Sequence, residues 1–427
     1  MRQSHKTVYL ERALLAGIVD GDLAPRDEPL EELARLAETA GAEVVTRVVQ
    51  RRETPDPKFY VGSGKLREIA AAAEEEKIDV VIFDNDLSSA QLRNLEKDLK
   101  LKVIDRTELI LDIFATHART QQAKLQVELA QLEYSLPRLR RLWTHLGQQA
   151  GGAIGGAIGV RGPGEKQLEV DRRVARHRIH ALKKDIALIE KRKQREVRAR
   201  GLDNYTVSLV GYTNAGKSTL MNALTGSDVL AEDKLFSTLD TRTRLWKLPD
   251  GAKVLLSDTV GFIRNLPTSL VTSFHATLEE VVQADLLLHV VDASDPESER
   301  QIEAVEDVLQ KIGAKDKDTL ILFNKTDRLR DAVELTLLQR RHPDALGISA
   351  RGGAGLDELA ARMAKILATR LIELDLEIPQ SEGRLLADLA ANTMVLKRED
   401  GPERVKLKLR APRRLVWKLK KFTNGEP

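Results

Sequence analysis

Apolar and polar positions recur along this chain in three rhythms, and each rhythm marks a region. Over residues 1–114 the short apolar runs "EVVTRVVQ", "DVVIFDN" and "LKVIDRT" have the length and β-branched content of strands. Between them, "PLEELARLAETAG", "GKLREIAAAAEEEK" and "SSAQLRNLEKDLK" carry apolar residues at helical spacing. Strands alternating with helices predict a small parallel α/β domain.

The rhythm changes over residues 115–204. Leu125, Leu129, Leu132, Leu136, Leu139, Trp143 and Leu146 follow one another at steps of four and three, a heptad seam that Pro137 interrupts. The stretch "GQQAGGAIGGAIGVRGPGE" follows, rich in glycine and uncharged until Arg161. A second seam then runs through Ala175, Ile179, Leu182, Ile186 and Ile189, in a segment dense in Arg and Lys. Two seams joined by a loop predict an antiparallel helical hairpin with a basic second arm and a flexible tip.

Strand–helix alternation returns over residues 205–371 with "YTVSLVGY", "AKVLLSDTVG", "ADLLLHVVDAS", "TLILFNKTD" and "ALGISA". Each run ends in a polar or glycine cluster, the pattern of a doubly wound sheet whose strand C-termini carry a site. Residues 372–427 form a small C-terminal domain or basic tail, in which "RVKLKLR" reads as a half-buried strand with one basic face. The fold class is α/β.

The chain is 427 residues long, enough for about two to four domains, and its 42% hydrophobic content supports a buried core. A net charge of +3 says nothing about an acidic partner, so only local charge is informative. The absence of cysteine excludes disulfides, thiolate metal sites and thiol nucleophiles. The N-terminus lacks the pattern of a signal peptide, and no apolar run reaches the roughly 18–20 residues of a membrane span. A cytoplasmic protein without stable membrane insertion, and a monomer, is expected.

Candidate chemistry concentrates on the strand ends of the third region. "GYTNAGKS" spans Gly211, Tyr212, Thr213, Asn214, Ala215, Gly216, Lys217 and Ser218, with Thr219 next. It fits G-x-x-x-x-G-K-[ST] between a strand and a helix, where glycines let consecutive amides face phosphate oxygens. Lys217 is expected to reach the β/γ-phosphates and Ser218 to ligate Mg²⁺. In "DTVG", Asp258 is positioned to hold Mg²⁺ through water and Gly261 to offer its N–H to a γ-phosphate, with Thr259 and Val260 between them. In "NKTD", Asp327 can accept from guanine N1–H and the exocyclic amine, which adenine does not present together. Asn324 can bridge base and loop, the Lys325 stem can lie on the purine, and Thr326 completes the motif. Ser349 and Ala350 could supply a backbone N–H to guanine O6. Within "LFSTLDTRTR", Phe236, Ser237, Thr238, Leu239 and Asp240 join the GTP-binding set. Thr238 is the candidate second hydroxyl on Mg²⁺, with Thr241 and Thr243 as competitors. In many nucleotide switches a glutamine follows D-x-x-G and orients the attacking water. Here that place belongs to Phe262, so no side chain is assigned to water.

Other features read more plainly. "VGSGK", Gly62 to Lys65, lacks the full phosphate-loop spacing and is expected to be a strand-to-helix turn. Asp84, Asp86 and Asp105 end strands and are expected to cap helices or face solvent rather than bind metal. The stretch from Arg404 to Phe422 holds nine Lys and Arg residues and no acid, with Trp417 and Phe422 interleaved, and is expected to contact RNA.

Together, "GYTNAGKSTL", "LFSTLDTRTR", "DTVGFI", "NKTD" and "ISA" resemble the G domain of HflX-type GTPases, in the Obg–HflX group. "RGPGEKQLEVDRR", "KFYVGSGKLREI" and "RTELILDIFATHARTQQAKLQVELAQLEY" resemble that family's hairpin and N-terminal region. The likeness covers most of residues 7–371. It implies a P-loop GTPase domain, a Mg²⁺ cofactor, GTP and GDP as ligands, and ribosomal RNA as partner. It further implies binding to the large ribosomal subunit or whole ribosome, with dissociation or rescue of ribosomes, often under stress. The family belongs to the GTPases in which an apolar residue replaces the glutamine, so Phe262 fits. The tandem "GGAIGGAI" departs from the family pattern by lengthening the hairpin loop. Two other classes stand beside this one. One is a nucleotide-regulated RNA-binding assembly factor with incidental turnover. The other is an ATP-driven RNA remodeller that uses "VGSGK".

Overall fold

A computed structural model describes residues 8, 10–19, 29–142, 163–203, 205–226, 235–236, 242–264, 275–412 and 419–423. Ser237, Thr238, Leu239, Asp240, Thr241, Trp143, Leu146, Trp417 and most of the glycine-rich stretch lie outside these residues. The described residues form two compact units. The first runs to Ile189 and also contains Leu235 and Phe236; the second holds the rest from Glu190 onward.

In the first unit β1 (Arg12–Val19), β2 (Glu43–Arg51), β3 (Val80–Phe83) and β4 (Lys102–Asp105) form a parallel sheet in the order β2-β1-β3-β4. β1 is absent from the strands expected above. "RALLAGIV" is apolar almost throughout because both faces are covered, and periodicity cannot separate such a strand from a buried helix. The helices α1 (Glu31–Ala40), α2 (Ser63–Glu75), α3 (Ser89–Leu99) and α4 (Arg106–His117) connect or follow the strands. Ser88 starts α3 with a full capping box, its hydroxyl accepting from Gln91 N–H while Gln91 reaches back.

The hairpin arms are α5 (Gln121–Leu142) and α6 (Pro163–Asp203). Their seams meet as expected where they are described. Leu129, Leu182 and Ile186 are buried together, with Leu125, Leu132 and Ile179 packed against them. Arg178 grips Glu128 through two bonds of 2.7 and 2.8 Å, and Lys183 holds Glu133 at 2.8 Å. Pro137 lies inside α5, which continues past it. The root of α5 is tied to the sheet by one buried carboxylate. Asp105 accepts from Tyr134 Oη, Arg138 Nη2 at 2.7 Å, Leu87 N–H and Glu108 N–H. Asp105 therefore caps α4, but it is wholly buried rather than solvated.

In the second unit six strands run in the order β10-β9-β8-β5-β7-β6. They are β5 (Tyr205–Gly211), β6 (Arg242–Lys247), β7 (Lys253–Asp258), β8 (Leu286–Asp292), β9 (Thr319–Asn324) and β10 (Leu346–Gly347). All neighbours are parallel except the edge pair β6 and β7. The helices are α7 (Lys217–Thr225), α8 (His275–Gln283), α9 (Ser298–Lys311), α10 (Ala332–Arg341) and α11 (Leu356–Arg370). Val207, Leu209, Leu256, Leu288 and Leu322 fill the core, so the polar strand ends gather at one edge.

The same unit carries a three-stranded antiparallel sheet, β11 (Leu371–Pro379), β13 (Arg404–Pro412) and β12 (Met394–Asp400), in that order, with α12 (Gly383–Asn392). Val405, Leu407 and Leu409 face its core, as their alternation predicts. The expectation of a basic RNA face on β13 is corrected. Register places Glu377 opposite Lys406 and Glu373 opposite Arg410. Arg404 and Lys406 pair with Glu377, while Lys408 and Arg410 pair with Glu373. The acids come from a strand about thirty residues earlier, beyond the window in which the segment looked uniformly basic.

Candidate functional site

Four segments meet at the C-terminal edge of the six-stranded sheet. The first follows β5, the central strand, and reaches α7 through "GYTNAGK". The backbone reverses here through positive φ at Asn214 (60°) and Gly216 (96°). A side chain at Gly216 would also put its Cβ 2.3 Å from Asn324 Nδ2, so only glycine fits. The turn aims the N-terminus of α7 at the edge of the sheet, where a helix favours anions. Lys217 is buried and folds back, its Nζ donating to the carbonyls of Gly211 (3.0 Å) and Tyr212 (2.7 Å). Burial pushes its ammonium down to about 8, against the opposing pull of Asp258.

The second segment leaves β7. Asp258 is fully buried and accepts from Ser218 Oγ at 2.6 Å, which puts a hydroxyl and a carboxylate side by side. Thr259, also buried, donates to the Leu209 carbonyl. Beyond it the backbone is pinned to the first segment: Phe262 N–H donates to the Gly211 carbonyl and Thr213 N–H to the Phe262 carbonyl. Gly261 lies in this clamp. A Cβ there would meet Thr213 Cα at 2.8 Å and Lys217 Nζ at 3.0 Å, so glycine keeps its amide close to the lysine. The Phe262 ring is 2% exposed, so it is a packing group that reaches neither solvent nor an open cleft.

The third and fourth segments follow β9 and β10. Asn324 does not bridge to open space as expected. Its Nδ2 donates to the Ala215 carbonyl (2.8 Å) and its Oδ1 accepts from Ala350 N–H (2.9 Å), so it ties two loops together. Ser349 and Ala350 also differ from expectation. Ser349 N–H donates to the Ala354 carbonyl and Ala350 N–H to Asn324, so both amides are engaged rather than offered to guanine O6. Their contribution is indirect, because Ser349 Oγ donates to Asp327 Oδ1. That bond holds the exposed Asp327 carboxyl below the usual carboxylate range. Thr326 donates through N–H and hydroxyl to the Ile348 carbonyl and fixes the turn. Lys325 pairs with Asp292 at 2.7 Å, an acid at the end of β8 that the motif reading missed although "VVDAS" ends as the other strands do.

The remaining candidates fall elsewhere. Thr243 sits in β6 opposite Ser257 and donates to Glu280, so β-pairing occupies it and it does not compete with Thr238. Phe236 is buried in the first unit, its ring edge-on to Phe114 at 4.6 Å, rather than among the strand-end residues. Tyr212 accepts at its Oη from Arg264 N–H (2.8 Å), and the Arg264 side chain reaches Glu297. His289 lies in β8, where burial and then the Lys217 charge push it down to about 3 and keep it neutral.

Three family models match in succession: GTP-binding GTPase N-terminal over residues 27–115, GTP-binding GTPase Middle Region over 117–200, and 50S ribosome-binding GTPase over 206–325. Curated relatives share nearly the whole length. A GTPase HflX of Magnetococcus marinus is 48% identical over 88% of this chain and 86% of its own. The GTPase HflX of Escherichia coli is 45% identical over 90% of each chain. That of Akkermansia muciniphila is 41% identical over 98% of each.

Proposed function

Because the chain belongs to the HflX family of GTPases and is itself a GTP hydrolase, we propose that it is a Mg²⁺-dependent GTPase that binds the large ribosomal subunit and dissociates or rescues ribosomes under stress. The observation that carries the nucleotide part is the convergence of Lys217, Ser218, Asp258 and Asp327 on one sheet edge. The ribosomal part is supported by the family model described as a 50S ribosome-binding GTPase.

In this reading residues 211–219 wrap the phosphates. Lys217 exchanges its two carbonyl acceptors for β/γ-oxygens, and their charge restores its ammonium. Ser218 and Asp258 fit a divalent cation, because they already bring a hydroxyl and a buried carboxylate together. Such P-loop GTPases generally use Mg²⁺, which would neutralise charge on the phosphates. Thr238 supplies the second hydroxyl and Gly261 its N–H when a γ-phosphate is present. Asp327, held as a carboxylate by Ser349, accepts from guanine, while Asn324 keeps its loop in register with the phosphate loop. Lys325 must leave Asp292 to lie on the purine. No side chain of the second segment handles water, since Phe262 is packed away; the remaining elements come from the backbone, a switch residue or the ribosome.

Sedimentation of large ribosomal subunits with this protein and a non-hydrolysable GTP analogue tests the reading. Co-sedimentation that depends on the analogue is expected, and its absence at saturating protein would overturn the ribosomal assignment.

A further inference from the structure

The two arms of the hairpin enclose a groove of 650 Å³, within the range of roughly 300–1,000 Å³ typical of small-ligand sites. Its floor is apolar and comes from Leu136 and Pro137 of α5 and Ile179 of α6. Pro137 lacks the amide that would donate to the Glu133 carbonyl, so the groove edge gains an acceptor the helical ladder does not use. The opposite wall is basic. Arg172, Arg176, His180 and Lys183 recur every three or four residues and form one stripe of α6.

The carboxylates nearby are already committed. Glu133, which also lines the groove, is held by Lys183, and Glu128 is gripped by Arg178. Among the described residues Arg172 and Arg176 have no carboxylate partner, and Arg172 Nε is buried without an acceptor. A buried donor without an acceptor is costly, and here it borders a cavity with two uncompensated guanidinium groups. The missing ligand must therefore bring anionic oxygens spaced along a helix face together with a flat apolar body. A duplex hides its bases and an acidic peptide has no flat face, whereas unpaired RNA offers both a phosphate backbone and exposed bases.

We propose that this groove seats one unstacked nucleotide of a single-stranded RNA, its base on Leu136, Pro137 and Ile179 and its flanking phosphates on Arg172 and Arg176. The site rests on the ribosomal reading for the source of the RNA, and a short RNA probe tests it apart from that reading.

The experiment titrates the full-length protein with a fluorescent single-stranded RNA of roughly eight nucleotides, in the range of single-strand site sizes. The variant Arg172→Ala with Arg176→Ala is compared with Arg173→Ala and Lys184→Ala, which removes equal charge from exposed positions of α6 outside the groove. The groove variant should lose about tenfold in affinity, and its log–log salt slope should flatten by roughly 1.4, the value for two single-strand phosphates. The other variant should lose less than about threefold on the same counterion argument. An abasic RNA should bind the parent about tenfold more weakly, as loss of one stacked base demands.

Equal losses from both variants, or equal binding of abasic and intact RNA, would overturn the proposal. So would displacement of the RNA by a polyglutamate peptide at equal charge, which would make the groove a seat for acidic protein. If the parent shows the expected RNA behaviour but never sediments with ribosomal subunits, the ribosomal reading fails and the groove stands. If the groove variant matches the parent in both assays, the groove fails and the ribosomal reading stands.

Discussion

Each of the two parallel sheets places a glycine–lysine turn at the head of a helix, and the two turns are built differently. In the first unit Gly62 precedes α2 with an ordinary extended backbone, φ −69° and ψ 155°. Its N–H is taken by Gln50 Oε1 at 2.8 Å, and Lys65 turns to Glu68. The turn follows the loop from Arg52 to Tyr60 rather than a strand, so it is not the strand-to-helix connection that "VGSGK" suggests. In the second unit the backbone reverses at Asn214 and Gly216, and Lys217 folds over the loop instead of outward. Glycine and lysine at a helix start do not make a phosphate site. Positive φ, a glycine imposed by a close neighbour and a lysine aimed inward do.

The largest effect expected from this contrast is on nucleotide affinity. Lys217→Ala should weaken GTP binding by on the order of 10³-fold, because it removes a charged partner of the phosphates. Lys65→Ala should change GTP binding by less than about twofold, since its exposed pair with Glu68 contributes little. Calorimetric titration of both variants checks this, and equal effects would erase the distinction between the turns. Asp327→Asn comes next. It sets a donor against the guanine donors and should cost roughly 2–4 kcal/mol of GTP binding, while xanthosine triphosphate regains affinity. Competition binding with the two nucleotides reads both changes.

A smaller effect separates the glycines. Gly216→Ala meets Asn324 and a positive φ, and should destabilise the second unit by about 2 kcal/mol or more. Gly64→Ala enters open space at the start of α2 and should be neutral or stabilise by up to about 1 kcal/mol. Denaturant unfolding of each variant gives the signs.

The smallest effects are expected on pH dependence, with opposite signs in the two units. Burial and then the Asp105 charge push Glu108 up to about 7. Its folded form holds the proton more tightly than the unfolded chain, so stability is complete below about pH 4.5 and falls as pH rises toward 7. His289 is pushed down to about 3. Its contribution is complete above about pH 6.5 and is lost as pH falls toward 3. Between pH 5 and 7 each change is on the order of 2 kcal/mol. Amide exchange in β4 should slow on acidification and that in β8 should quicken. Glu108→Gln and His289→Gln should flatten the respective trends.

Legibility in the sequence follows the range of the interactions. The phosphate loop, "DTVG" and "NKTD" are local because each lies at one strand end, and the strand alternation that presents them is also local. The pairing of β13 with Glu373 and Glu377 was hidden because strand neighbours are far apart in sequence. The same holds for Gln50 on Gly62 and for Tyr134 and Arg138 on Asp105. The engaged amides of Ser349 and Ala350 depend on how one short loop folds back on itself, which residue types alone do not reveal. β1 and β6 escaped for another reason. One is apolar on both faces, and the other is a polar edge strand, "RTRLWK", without clean alternation.

The central claim is that the second unit hydrolyses GTP with no water-orienting side chain after Gly261, the ribosome completing the site. Single-turnover hydrolysis by the parent and by Phe262→Leu, alone and on saturating large ribosomal subunits, tests it most directly. Both proteins should hydrolyse slowly alone, and both should accelerate on the subunit by roughly 10³–10⁵, as groups supplied in trans do in other GTPases. Leucine fills most of the buried Phe262 site and should keep most of the accelerated rate. No acceleration of the parent by the subunit would contradict the account. So would loss of turnover in Phe262→Leu while nucleotide and subunit affinities survive.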